Sequence, residues 1–174
     1  MRIALTAGHG AGDPGNTWGG YREADLMTEL RHITAAKLRA MGHIVVEDGG
    51  KGVNWSLDKA IGLIAGVDRA IELHTNASSN TTATGVEVVS LPEHRALAQR
   101  LAKAIGGVLQ IPVRREQGWL SHDRCAAERG FQPGFSRRGG LIVEVFFQSN
   151  PGDLRAYLER YWLVASAIAR EVSS

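Results

Sequence analysis

Hydrophobic and polar positions along the chain switch repeatedly between two periods, and the switches outline alternating strands and helices. Arg2–Thr6 is a short apolar run that predicts a buried strand, and it leads into a glycine-rich loop from Gly8 to Gly20. From Glu23 to Met41 the apolar residues Leu26, Leu30, Ile33, Leu38 and Met41 recur close to the helical period, and Gly42 ends that helix. His43–Glu47 predicts a second strand, and Ser56 is placed to N-cap a helix over Leu57–Ala65. Arg69–His74 and Gly85–Leu91 predict a third and a fourth strand. Pro92 opens a helix carrying Leu97, Leu101, Ile105 and Leu109, and Pro112 stops it. Residues 114–138 mix charge, glycine and aromatic side chains without a period that assigns them. Leu141–Phe147 is the clearest strand, apolar throughout except for Glu144, which is the mark of a strand buried on both faces. A closing helix runs from Gly152 to Val172, with Leu154, Tyr157, Leu158, Tyr161 and Leu163 on or near its buried side. This alternation predicts an α/β fold: a mostly parallel, mixed twisted sheet with helices on both faces, forming one domain over residues 1–174 with no repeat, linker or separate binding domain.

Composition narrows the function classes. A length of 174 residues suits one core, and 44% hydrophobic with 22% charged residues is the balance of an ordinary globular chain. A formal net charge of +2 lacks the dense Lys/Arg runs of a nucleic-acid binder, so no nucleic-acid partner is expected. Cys125 is the single cysteine, which excludes an internal disulfide. The apolar start at Ile3–Leu5 is too short for a signal-peptide core, and no run approaches the roughly 18 apolar residues of a membrane span. The expectation is a chain made in the cytoplasm without a signal peptide or membrane insertion, reaching any target outside the cell only after release.

In open α/β sheets, ligands bind beyond the carboxyl ends of the strands. His9 follows the first strand, His74 ends the third, Glu144 lies in the last, and Glu23 opens the helix directly after the His9 loop, so the four can converge at one sheet end. Two histidines and a carboxylate make a catalytic zinc set, with the fourth position left to water. A separate carboxylate must then move the water's proton, and Glu144 suits that role because burial among Leu, Ile, Val and Phe raises a carboxyl pKa toward the range of a general base. The other histidines have blander readings: His32 sits mid-helix, His43 at a turn and His94 in a first helical turn, while His122 lies in a loop, Ser121-His122-Asp123-Arg124-Cys125, near the site.

These residues resemble a known family. Thr6-Ala-Gly-His-Gly10 followed by Asp13-Pro14-Gly15 is similar to the opening motif of the zinc-dependent N-acetylmuramoyl-L-alanine amidases of the amidase-3 type, found in autolysins and phage endolysins. Glu23-Ala-Asp-Leu26 resembles their second motif, Glu72-Leu-His-Thr-Asn-Ala77 their second histidine motif, and Val143-Glu-Val-Phe-Phe147 with Ser149-Asn150 their last. The resemblance implies zinc held by His9, Glu23 and His74, with Glu144 as the catalytic glutamate. It implies hydrolysis of the amide between the lactyl group of N-acetylmuramic acid and the L-alanine of the peptidoglycan stem peptide; separately, no hydrophobic helix face is spare, so a monomer is expected. Asn76, His122 and Arg138 are candidate substrate contacts. The absence of a wall-binding module is similar to compact endolysins, which act on the wall after holin-type release. Two departures stand out: Val145 replaces the usual small residue after the catalytic glutamate, and Trp119–Arg138 does not match the family's sequence before the last strand.

Rival readings remain distinct in what they require. Gly10-Ala-Gly-Asp-Pro-Gly15 fits a dinucleotide-binding pattern, but Pro14 and the residues up to Gly20 keep the chain from opening a helix there. A thiol hydrolase would need Cys125 activated by His122. A zinc carboxypeptidase or endopeptidase on wall peptides would need a carboxylate-binding arginine near the metal, such as Arg137 or Arg138, and a non-catalytic wall-binding module would be marked by a lost ligand.

Overall fold

The computed structural model describes residues 1–130 and 132–174. The apolar start forms β1 (Arg2–Ala7), and a two-stranded ribbon, β2 (Thr17–Trp18) with β3 (Tyr21–Arg22), leads into α1 (Glu23–Ala40). There follow β4 (Ile44–Glu47), α2 (Leu57–Gly62), β5 (Arg69–Asn76), β6 (Glu87–Ser90), α3 (Arg95–Leu109), β7 (Trp119–Ser121), α4 (His122–Arg129), α5 (Gly134–Arg137), β8 (Leu141–Phe147) and α6 (Pro151–Ser173). Six strands make one sheet in the order β4-β1-β5-β8-β6-β7. The first four run parallel, β6 turns antiparallel to β8, and β7 follows β6 in parallel. The mostly parallel, mixed α/β sheet expected from the sequence is the one observed.

Alternation along the strands divides the core into two layers. One face carries Leu5, Ile71, Leu73, Val143 and Val145 against Leu30 of α1, Leu101 of α3 and Ile168 of α6. The other carries Ala4, Ala70, Ile142 and Val89 against Cys125 of α4 and Phe135 of α5, with Ile61 of α2 packed alongside. Glu144 is buried with every other residue of β8, so both faces of that strand are covered as its sequence implied. Tyr157 of α6 stacks on Phe146 of β8 with ring centroids 4.5 Å apart and donates its hydroxyl to the Leu26 carbonyl at 3.1 Å.

Several boundaries differ from the sequence reading. Leu163 is 46% exposed rather than on the buried side of α6, because that stripe runs through Leu154, Tyr157, Val164, Ile168 and Val172 and passes it by. The helix after Ser56 stops at Gly62 instead of Ala65, and Ser56 occupies the N-cap without a side-chain cap bond, its carbonyl accepting from Lys59 and Ala60. Among the described residues, the stretch the sequence left unassigned contains β7, α4 and α5, each too short to show a period. Ser121 caps α4 by accepting from the Arg124 amide, which makes His122 a first-turn helical residue and not part of a loop.

A buried polar cluster joins the fold to the loop after β1. Arg31 of α1 has no exposed surface; it donates to Asp48 at 2.6 Å, to Asn54 at 3.0 Å, and to the carbonyls of Gly50 and Val53. Asn54 in turn donates to the carbonyls of Ala7, Gly8 and His9 at 2.8, 3.1 and 3.0 Å. These bonds hold His9 at φ 65, in the left-handed region that a side-chain-bearing residue enters only at a cost. Burial pushes the Asp48 carboxyl up, and the Arg31 guanidinium offsets only part of that. Arg31→Met strands Asp48 without its partner and is expected to destabilise the protein by about 3–5 kcal/mol, read from urea unfolding midpoints.

Candidate metal and catalytic site

Parallel register decides which side chains meet. On the sheet face covered by the short helices, Glu72 and His74 of β5 stand two residues apart, and His74 is the cross-strand partner of Glu144, itself paired with Glu87 of β6. β1 delivers His9 at the same end, and α1 begins there with Glu23. The expected convergence of His9, Glu23, His74 and Glu144 is observed, on the wall of a cavity of about 790 Å³.

Glu23 is the centre of this arrangement. Its side chain has no exposed surface. One oxygen lies 3.0 Å from His74 Nδ1 and accepts the Thr75 amide at 2.8 Å. The other lies 3.2 Å from His9 Nε2 and accepts the Asn16 amide at 3.0 Å. Burial alone raises such a carboxyl, but the two histidines outweigh it and hold Glu23 far below the usual carboxylate range. The Glu23 hydrogen bond raises the His9 pKa; burial opposes a charge on His74, but its contacts to Glu23 and Glu72 raise its pKa well above the ordinary value. One ligand atom from each of His9, Glu23 and His74 falls within 4.8 Å of the others, the spacing of a group able to hold a metal ion. Glycine permits this crowding: a Cβ on Gly8 would lie 2.0 Å from the His74 ring, and one on Gly15, at φ 64, would lie 2.5 Å from His9.

Glu144 is 3% exposed. Its Oε1 accepts from Arg129 at 2.8 Å, and its Oε2 is buried with no hydrogen-bond partner among the described residues. Burial pushes the carboxyl up, against the pull of His74 and Arg129. Arg129 also lies 3.6 Å from Glu87, which Arg114 and Arg115 hold at 3.0 and 3.1 Å.

The three candidate substrate contacts separate. Asn76 lines the cavity and donates to Glu87 at 3.1 Å. His122 is 5% exposed and contacts Ser136 at 2.9 Å and Gln132 at 2.7 Å, so it supports the cavity-lining Gln132 from behind. Arg138 lines a different hollow with Asp68, Arg69 and Leu141, at the start of β5 and β8, the opposite end of the sheet from the histidines. Sequence reasoning passed over Glu72, Glu87 and Arg129. Glu72 was accessible from its period-2 spacing to His74, whereas nothing in the sequence placed Arg129 beside Glu144.

The charge pattern sets the pH response of chelator-treated protein. Raised histidines contribute stability that is complete below about pH 6.5 and is lost as pH climbs through their folded values; lowered Glu23 contributes stability present above about pH 4.5 and lost as pH falls. The melting temperature of the stripped protein is therefore expected to fall from about pH 6 to about pH 9, and His74→Gln is expected to flatten that decline.

Comparison with known proteins places the chain in a family. No curated protein matches the chain. Among solved structures, the chain is similar to a Neisseria meningitidis protein assigned as an N-acetylmuramoyl-L-alanine amidase, at 39% identity and TM-score 0.88, over 99% of this chain and 93% of that one. An N-acetylmuramoyl-L-alanine amidase from Clostridium difficile 630 shares the fold at 22% identity and TM-score 0.81, with 99% and 94% covered. The catalytic domain of the CD27L endolysin does so at 24% identity and TM-score 0.74, with 99% and 97% covered. The family description N-acetylmuramoyl-L-alanine amidase matches residues 3–174, and the chain belongs to that amidase family, Amidase_3.

Proposed function

We propose that the protein is a zinc-dependent hydrolase of peptidoglycan, cutting the amide between the lactyl group of N-acetylmuramic acid and the L-alanine of the stem peptide. The observation that carries this reading is the buried Glu23 carboxyl set between His9 Nε2 and His74 Nδ1, at 3.2 and 3.0 Å. One ligand atom from each of the three residues lies within 4.8 Å of the others, a grouping able to hold a metal ion. Two imidazoles and one carboxylate also suit zinc in chemical type, and they leave a position for the reaction.

When bound, the ion supplies Lewis acidity, making water a nucleophile at neutral pH and drawing electrons from the scissile carbonyl. The protein's own groups do the rest. Arg129 fixes Oε1 of Glu144, which leaves Oε2 as the oxygen that takes the water's proton and later passes it to the departing alanine nitrogen. Burial favours the protonated form between those two transfers. Asn76, held by Glu87, offers its amide group to the substrate from the cavity wall. Arg138, at the far end of the sheet, cannot serve as the carboxylate clamp of a carboxypeptidase. Among the described residues no helix is long and apolar enough to cross a membrane. We place the site of action at the cell wall, whether as an autolysin or as an endolysin reaching it by release.

Purified peptidoglycan digested by the protein is expected to yield free stem peptides beginning with L-alanine beside uncut glycan, identified by mass spectrometry, with activity lost on chelation and restored by zinc. Shortened peptides still attached to glycan would contradict the bond assignment. Glu144→Gln is expected to lower kcat by about 10²–10⁴-fold while leaving zinc affinity within a few-fold.

A further inference from the structure

The outer nitrogens of the two histidines carry an arrangement that the mechanism has not used. His9 points Nε2 at Glu23, and its Nδ1 lies 2.8 Å from Asp13, an exposed residue. His74 is turned the other way: Nδ1 faces Glu23, and Nε2 lies 3.2 Å from Oε2 of Glu72. Glu72 is 2% exposed, lies on the cavity wall, and its Oε1 is buried without a partner among the described residues. It sits on the sheet face that carries Ala70 and Ile142 in the smaller apolar layer, with Thr6 and Ile142 as its strand neighbours. A carboxyl group in such a place, with one oxygen unsatisfied, costs stability, so its position calls for a gain elsewhere.

We infer that Glu72 is the positioning residue of the metal site: by accepting a hydrogen bond from His74 Nε2–H it fixes the ring so that Nδ1 is the nitrogen offered to the metal. The inference rests on the zinc reading above and extends it to a residue outside the ligand set. An imidazole ligand needs its second nitrogen protonated and held, and the loss of such a partner costs metal affinity about 10–100-fold. Gly8 leaves room for the ring, since a Cβ there would lie 2.0 Å from Cε1, and Glu72 is the group that selects which nitrogen faces the metal site. The consequence is mixed ligation: His9 through Nε2 and His74 through Nδ1, each with a carboxyl group on the opposite nitrogen.

The test is zinc affinity by chelator competition for the wild-type protein, Glu72→Gln and Glu72→Ala, with apo melting temperatures alongside. Glu72→Ala is expected to bind zinc about 10–100-fold more weakly while its apo form keeps a cooperative melting transition. Glu72→Gln keeps an acceptor and is expected to recover most of the affinity. Equal affinity in all three would overturn the inference while leaving the zinc reading intact, and failure of the wild type to bind one zinc would overturn the zinc reading itself. Long-range ¹H–¹⁵N spectra of the zinc-loaded wild type test the same point without a variant: a proton on His74 Nε2 supports the assignment, and a proton on Nδ1 contradicts it.

Discussion

A carboxyl group with no exposed surface, at the first residue of a helix, ties together three segments distant in sequence. Glu23 accepts the amides of Asn16 and Thr75 and faces both His9 and His74. Left alone, a buried carboxyl shifts toward its neutral form; here the surrounding donors hold it charged, far below the usual range. The position also benefits from the positive end of the α1 dipole, since Glu23 is the helix's first residue. The loop from Gly8 to Gly20, the start of α1 and the end of β5 are thus fixed relative to one another through one side chain. The backing for that loop comes from Asn54, which donates to the carbonyls of Ala7, Gly8 and His9 and is itself held by Arg31.

Much of this was legible in the sequence because it follows from period and topology. The long apolar helices and β8 declare themselves by pattern, and once a parallel sheet is inferred, strand ends must collect at one side. That logic brought His9, Glu23, His74 and Glu144 together, as the structure does. It failed where elements are short or where contacts cross between them. Among the described residues, the stretch 114–138 contains a three-residue strand and two short helices, below the length at which periodicity speaks. Arg138 precedes β8 by a few residues, but the start of a strand is the wrong end, and its surroundings are Asp68 and Arg69. His122 lies close in sequence to a cavity-lining segment but spends both ring nitrogens on Ser136 and Gln132.

Three arginines surround Glu87 and Glu144 with positive charge. Arg114 and Arg115 neutralise Glu87, and Arg129 spans Glu87 and Glu144. The antiparallel pairing of β6 with β8 sets those two carboxyl groups directly opposite each other, which repels unless cations intervene. Three arginines from one side of the sheet therefore make it possible to keep Glu144 in a buried strand and still hold one of its oxygens in place. Val145 lies on the opposite face of β8 and is buried in the main core, away from the site.

His9, Glu23 and His74, as one metal centre beside Glu144, would hold a single zinc ion. Zinc-edge anomalous diffraction from zinc-soaked crystals would locate it. One strong peak is expected, about 2.0–2.2 Å from His9 Nε2, His74 Nδ1 and a Glu23 oxygen. A peak held by other residues, or no ordered zinc among these three, would contradict it.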